Sequence, residues 1–370
     1  MRNKYLIMLT PIGKFFFGGD MTFQVGEKEN KTYKLHNEQF ASYIIRSNCF
    51  PQQTSLLGML RFLILSNSEA FDKKTRKVKN RKEANSLIGE RSFEVKDHHK
   101  RGNFGKIESI SPCFMRKKEK GNWINLFPAP MDYKYVVKLE NAPFALINGR
   151  KKKVPEVEGY CPKERQEVLF LNGEREVPFS VVFSEDRRVG INKDYTGITR
   201  DTSFYKQISY RFGKKADNGD VNEKVDFCFA FMAETSIDLK KYDGELASLG
   251  ADSSTFIINV TDEEVEYTMP DKNSKNKRVV LLSDAYLTEE EAAQAVYAIT
   301  DTVPFRFLKT TLDTTNYEIL SNEVKRSEVR YDLYKRGSVF YFDKEEDRKK
   351  FTDALMSKED FVQIGYNMYR

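Results

Sequence analysis

The chain holds 370 residues, with 61 Lys or Arg against 55 Asp or Glu for a formal net charge of +6, and 40% of it is hydrophobic. That length exceeds what one hydrophobic core usually organises, so two domains are expected, and the apolar fraction excludes a globally disordered chain. Because the charges nearly balance, net charge argues only weakly for a polyanionic partner, and the distribution of charge has to carry that argument.

Cys49, Cys113, Cys161 and Cys228 are far apart, with neither a CxxC pair nor a nearby His, so the pattern of a zinc site is missing. The apolar run in MRNKYLIMLTPIG is far shorter than the roughly 20 residues of a membrane helix, and no small-residue cleavage site follows it. These features predict a cytoplasmic protein with reduced thiols that is neither exported nor membrane-bound. No cofactor or metal is expected.

In chain order, the first element is a strand near residues 5–9. FPQQTSLLGMLRFLIL (50–65) reads as a helix over 54–65. Pro51 restricts the approach, Thr54 or Ser55 can cap, and Leu56, Leu57, Met59, Leu60, Leu63 and Ile64 form a buried stripe. Gln53 and Arg61 fall outside that explanation. Gln53 lies beside the free N–H groups of a helix start, where a phosphate can bind, and both residues enter the candidate site.

DKKTRKVKNRK (72–82) holds seven Lys or Arg, and further basic runs follow at 98–101, 116–120 and 150–153. One such run alone reads as a solvated loop; four within about 80 residues point to a phosphate backbone. RRVGINKDYTGITRDTSFYKQISYRFG (187–213) then interleaves Arg187, Arg188, Lys193, Arg200, Lys206 and Arg211 with Tyr195, Phe204, Tyr205 and Tyr210 and with Gly190 and Gly197. Charge for phosphates, rings for unpaired bases and Gly for backbone approach suit single-stranded nucleic acid; a twisted surface hairpin is the plainer reading. VDFCFAFMAE (225–234) carries Phe227, Phe229 and Phe231 on one face and Cys228, Ala230 and Met232 on the other, so it is expected to be a buried strand rather than a base-stacking surface.

A helix near 239–249 and a strand over 255–260 complete a first domain, 1–266, enlarged by insertions at about 72–219. The polar, turn-rich segment 267–277 reads as a linker. The remainder, 278–370, reads as a strand (278–284), a helix (288–300), strands over 303–312 and 327–342 with a break at Gly337, a helix (344–356) and a last strand (361–369). That order is β-α-β-β-α-β. The expected class is therefore α+β, with two ferredoxin-like (RRM-like) domains.

Catalysis has little to work with. Metal-free RNA cleavage needs a positioned acid and base, and the chain has His36, His98 and His99 alone, the last two in a basic loop. Gly18-Gly19-Asp20 lacks a second adjacent acid for two metals, since Met21 follows, and Asp343, Glu345, Glu346 and Asp347 suit a helix N-terminus. No catalytic or metal-binding residue is expected.

Seven segments in order carry a resemblance: KFFFGGDMTF (14–23), PQQTSLLGMLR (51–61), SLIGERSF (86–93), LFPAPMD (126–132), RVGINKDYTGITRD (188–201), GSVFYF (337–342) and IGYN (364–367). Together they resemble the RAMP superfamily of CRISPR proteins, and within it the guide-handle-binding subunit of the type III-B (Cmr) effector complex. The resemblance implies a non-catalytic subunit that grips the 5′ handle of the crRNA and caps the foot of a filament of backbone RAMP subunits. It also implies docking of the large polymerase-cyclase subunit. RNA contacts would then come from Arg187, Arg188, Lys193, Tyr195, Thr196, Arg200, Tyr205, Lys206 and Arg211, beside a groove shaped by Gly18, Gly19, Asp20, Gln53 and Arg61. An RNA-processing RAMP endoribonuclease using His98 or His99, and the equivalent subunit of a type III-A complex, are the rival expectations.

Overall fold

The structure is a computed structural model and describes residues 3–19, 21–25, 41–95, 99–159, 167–193, 199–213, 227–252, 254–267, 273, 277–309 and 325–370. It is a mixed α+β protein whose sheets are mostly antiparallel. The main sheet has the spatial order Arg175–Pro178, Val168–Leu171, Asn122–Pro128, Phe114–Glu119, Phe227–Thr235, Asn3–Pro11, Thr255–Thr261 and Leu246–Ser248, with Ile107–Ile110 also pairing with Phe227–Thr235. The Phe-rich strand is central, as its two apolar faces require. Phe227, Phe229 and Phe231 enter the largest core and Cys228 and Ala230 a second cluster on the reverse face, all at most 2% exposed.

The helix Gln53–Ser66 lies under this sheet and buries Leu56, Leu57, Met59, Leu60, Leu63, Ile64 and Leu65. It starts one residue earlier than its sequence suggests, and neither Thr54 nor Ser55 caps it; Gln52 is the capping residue and makes no side-chain cap bond. Thr54 and Ser55 lie inside the first turn and so cannot cap it, and the Gln53 side chain beside them is committed elsewhere, as described below. The basic run after this helix forms the turn of a small hairpin, with Phe71–Asp72 paired to Lys77–Val78 and Arg76 at a positive φ of 56°. It continues into the helix Arg81–Ile88, whose Asn80 accepts from the Glu83 amide.

A second sheet, ordered Phe183–Lys193, Thr199–Phe212, Ala41–Arg46 and Met21–Val25, stands apart from the first. Its two long strands form one hairpin. In the C-terminal part, Lys277–Val280, Val339–Phe342 and Tyr297–Ile299 make a three-stranded sheet covered by the helix Glu345–Met356, while Thr302–Phe305 pairs with Tyr331–Tyr334.

Several elements differ from the sequence expectation; the strand read over 303–312, for one, is two short strands, Thr302–Phe305 and Leu308–Lys309, in separate sheets. The helix read over 239–249 is a single 3-10 turn, Lys240–Tyr242, followed by the edge strand Leu246–Ser248. The helix read over 288–300 is one turn, Glu289–Ala292, with Thr288 and Glu291 in a capping box; the chain then turns outward so that Tyr297–Ile299 can pair with Val339–Phe342. Strand pairing wins there because the β-branched and aromatic residues after Ala295 fit an open sheet edge better than a second helical turn. The single strand read over 327–342 is two strands in different sheets, divided at Gly337 with a φ of 84°. The last strand, read over 361–369, is instead the short helix Glu359–Gln363. It ends at Gly365, with a φ of 83°, and leaves Tyr369 bridged to Leu281. Phe361 and Ile364 both enter the core, a spacing that a helix satisfies and an alternating strand does not.

The largest core joins both halves of the chain. Phe305, Phe307, Leu333, Phe361, Ile364 and Tyr366 pack in the same cluster as Leu56, Leu60 and Phe229. No helix among the described residues is long and apolar enough to cross a membrane.

Candidate nucleic-acid interface

Gln53 and Arg61, expected beside RNA, are both buried in the fold. The Gln53 side chain is fully buried; its Nε2 donates to the Ser111 and Ile364 carbonyls, both at 2.8 Å, and its Oε1 accepts from the Cys113 amide at 3.1 Å. It ties the helix start to the main sheet and to the C-terminal helix. Arg61 is 9% exposed, donates from Nε to the Ile88 carbonyl at 2.8 Å and from Nη2 to the Gly89 carbonyl at 3.1 Å, and burial lowers its pKa to about 10. Gly89 sits at φ 74°, and a Cβ there would meet the Asn103 carbonyl. A Gln53→Ala substitution is expected to cost about 2–3 kcal/mol, because two buried carbonyls and one amide lose their partner. A denaturant midpoint equal to that of the parent chain would show that water replaces the amide.

The Gly18-Gly19 turn stands at the foot of the hairpin sheet. Gly18 has a φ of 73°, its carbonyl accepts from the Asn48 amide at 2.7 Å, and a Cβ on Gly19 would overlap the Arg46 carbonyl. Only glycine allows that approach. Asp20, Tyr195 and Thr196 lie outside the described residues, as do the side chains of Lys193 and Arg200.

The hairpin Phe183–Lys193/Thr199–Phe212 is anchored by aromatic packing at its base. Phe212 meets Phe15 at 5.1 Å and Phe229 at 5.0 Å between ring centroids, and Phe183 meets Phe50 at 6.1 Å. Beyond the base the pleat divides the polar residues between two faces. On one face Asp186 holds Arg211 at 2.7 Å and lies 3.9 Å from Arg188, with Lys14 also 4.0 Å away. Burial, and then the neighbouring Arg188, lowers the Lys14 pKa. On the other face Glu185 holds Arg187 at 2.8 Å and Arg46 at 2.6 Å. The two acids are mostly covered, at 27% and 21% exposed side chains, whereas Arg187 and Arg188 are 75% and 63% exposed. The carboxylates thus hold the guanidinium groups in place while the cations face solvent. Lys206 is exposed as well.

Tyr205 is opposite Gly190 across the hairpin, and its ring fills the space above that glycine: a Cβ on Gly190 would come 2.1 Å from the ring. The ring is half-buried and held over the strand in a fixed attitude.

A cleft of about 350 Å³ opens between the segments 46–52 and 128–135 and meets the hairpin at Tyr210. Arg46, Ser47, Asn48, Phe50, Tyr133 and Arg336 are among the residues that line it. Arg336 is 8% exposed, donates to the Cys113 carbonyl at 3.0 Å and stacks 4.4 Å from the Phe50 ring centroid. Tyr210, which bonds to Arg46, is pushed up to about 12 by burial, and burial does the same to the Cys49 thiol, so both are neutral at physiological pH. Arg46, Lys134 and Arg336, all of which line the cleft, were not legible as site residues: each is a single cation in an unremarkable context, joined only by the fold.

His99 is exposed, with Nδ1 3.1 Å from the Ser357 carbonyl; His36 and His98 lie outside the described residues. Among the described residues no cluster of three or more His, Cys, Asp or Glu side chains could hold a metal ion. Glu345, Glu346 and Asp347 occupy the first turn of the helix Glu345–Met356, where their charge opposes the helix dipole.

Fold and site together describe an α+β protein that holds a cation-bearing β-hairpin beside an aromatic-walled cleft. The profile of the CRISPR-associated protein (Cas_Cmr3) family matches residues 7–369, and the chain belongs to that family. It is a CRISPR effector subunit of the Cmr type. Among solved structures, a chain in the cryo-EM structure of the Type III-B Cmr-beta bound to cognate target RNA and AMPPnP, state 1, is similar over 98% of this chain and 95% of that one, at 13% identity and a TM-score of 0.47. A chain in the cryo-EM structure of the Type III-B Cmr-beta bound to cognate target RNA is similar over 99% and 96%, at 14% identity and a TM-score of 0.45. No curated protein matches in sequence.

Proposed function

We propose that this chain is a non-catalytic subunit of a type III-B CRISPR ribonucleoprotein that binds the 5′ handle of the crRNA at the hairpin and the cleft beside it. In this reading it caps the foot of the backbone filament and docks the large polymerase-cyclase subunit. The observation that carries the RNA assignment is the division of labour on the hairpin. Exposed Arg188 and Arg211 on one face of the hairpin, and Arg187 and Lys206 on the other, offer positive charge to phosphates, while the half-buried Glu185 and Asp186 hold Arg187 and Arg211 in position and Asp186 lies near Arg188. Gly18 and Gly19 bring the neighbouring backbone close to Arg46, and the Tyr205 ring offers a preset surface for an unpaired base.

Phosphate contacts position a strand without reading it, whereas stacked bases contribute to selection. Competition of handle RNA against a scrambled strand, measured on assembled complexes, separates the two. Replacing Tyr195 and Tyr205 with Ala is expected to erode the preference for the handle by about 1–3 kcal/mol per stacked base. Replacing Arg188 and Arg200 is expected to weaken both RNAs alike. Equal handle preference in the parent and tyrosine variant would mean that the Tyr205 ring serves only to cover Gly190.

A further inference from the structure

The hairpin of Phe144–Ile147 and Arg150–Lys153 forms a two-stranded sheet of its own. All four residues of its first strand, Phe144, Ala145, Leu146 and Ile147, are exposed, with Leu146 at 78%. A continuous apolar strand left in water on both faces is a liability that folded proteins avoid unless something covers it.

Its register shows what kind of cover fits. The strands are joined through Asn148 and Gly149, both at positive φ as a two-residue primed turn requires, and Ile147 is opposite Arg150. In such a hairpin the pairs Ile147–Arg150 and Ala145–Lys152 exchange the ladder bonds, so the amides of Phe144 and Leu146 point away from the partner strand, along the free edge. The second strand is anchored to the body of the protein: Arg150 donates to the Glu289 carbonyl at 3.0 Å, Lys152 to the Ala293 carbonyl at 2.8 Å, and Lys153 pairs with Asp343 at 2.6 Å. These bonds fix the hairpin in place and, among the described residues, leave its first strand outermost. Phe144 and Leu146 share a face with Lys151, whose ammonium lies 4.3 Å from the Phe144 ring centroid.

We propose that the free edge of Phe144–Ile147 is a strand-addition site for a protein partner, namely an extended segment with apolar side chains against Phe144 and Leu146 and a carboxylate directed at Lys151. Main-chain bonds to the two outward amides give the affinity, and the apolar row and the cation set the register. RNA is disfavoured at this edge because the strand offers apolar side chains and no phosphate-binding charge of its own.

The test compares amide exchange in the full chain alone and in the effector complex purified from its host. The Phe144 and Leu146 amides are expected to exchange at least about tenfold more slowly in the complex. Two variants then address side chains and backbone separately. Phe144→Asp with Leu146→Asp keeps the backbone, whereas Leu146→Pro deletes one outward N–H and spares the hairpin bonds. Each is expected to lower incorporation into co-expressed complexes by about tenfold, corresponding to about 1.4 kcal/mol, with the melting temperature of the isolated chain unchanged. Unprotected amides in the complex, or full incorporation of both variants, would overturn the proposal. So would loss of guide-RNA affinity in place of incorporation, which would assign the edge to nucleic acid, or protection of the chain alone at high concentration, which would assign it to a second copy.

Discussion

Replacing Asp132 with Ala is expected to lower stability by about 3–5 kcal/mol, the usual cost of removing one partner from a buried ion pair. Asp132 is 1% exposed and collects three donors: Arg278 Nη1 at 2.5 Å, the Tyr341 hydroxyl at 2.5 Å and the Asn273 amide at 3.0 Å. Arg278 has only 7% of its side chain exposed, so water cannot replace the lost carboxylate. Burial and the nearby Asp132 charge push the Tyr341 hydroxyl pKa up, which keeps it a donor. Asp132→Asn retains an acceptor of the same size and loses the charge, so it is expected to cost less than Asp132→Ala. Denaturant unfolding of both variants measures this ordering. A midpoint for Asp132→Ala within about 1 kcal/mol of the parent would mean that the site relaxes to admit water. Because Asp132 holds in place the segment 128–135, whose residues on either side of it wall the cleft, guide-RNA affinity is expected to fall with stability.

The second large effect is electrostatic. Replacing Arg187, Arg188, Lys206 and Arg211 together with Ala is expected to weaken guide-RNA binding at about 0.1 M salt by on the order of 100-fold. The slope of log affinity against log salt should become shallower by up to about 3, from roughly 0.7 per phosphate neutralised on a single strand. Pairing with Glu185 and Asp186 already offsets part of this charge, which is why the full slope change is an upper bound. The run Lys73, Lys74, Arg76 and Lys77 makes the comparison informative. It forms a short exposed hairpin turn, and Lys73 donates to Asn67 at 2.8 Å. Neutralising that run tests whether a second stretch of phosphates lies there; an unchanged slope would make it a solvated turn. An unchanged slope for the hairpin variant would remove RNA from the hairpin altogether.

The seven segments that carry the family resemblance are not scattered in space; several meet in pairs. Gln53 of the second bonds to Ile364 of the last, and a Cβ on Gly365 would come 2.2 Å from its Nε2. Arg61 of the second bonds to Gly89 of the third. Met131 of the fourth donates its amide to the Gly337 carbonyl of the sixth at 2.8 Å, and Tyr341 of the sixth donates to Asp132 of the fourth. Phe15 of the first bridges Tyr210, just beyond the fifth. Polar residues that looked like candidate RNA contacts, Gln53 and Arg61 foremost, are the bonds that hold these segments together. A lone Gln at a helix start looks the same whether it meets a phosphate or a carbonyl from 311 residues away, because local pattern carries no information about a distant partner.

By itself the sequence determined what depends on neighbours along the chain: the apolar stripe of Gln53–Ser66, the doubly apolar strand Phe227–Thr235, the helix Glu345–Met356 with acids in its first turn, the break at Gly337, and the alternation of charge and ring from 187 to 213. These follow from periodicity, capping and backbone sterics, which act over a few residues. Only the tertiary structure decided the rest. It ended the helix after Thr288 at one turn because an open edge of Val339–Phe342 was available to Tyr297–Ile299, and it made a helix of Glu359–Gln363 because Phe361 and Ile364 had to enter one core. It also buried Gln53 and Arg61 while leaving Arg187 and Arg188 in solvent, because burial of a polar group is settled by which distant carbonyls and carboxylates the fold brings within reach.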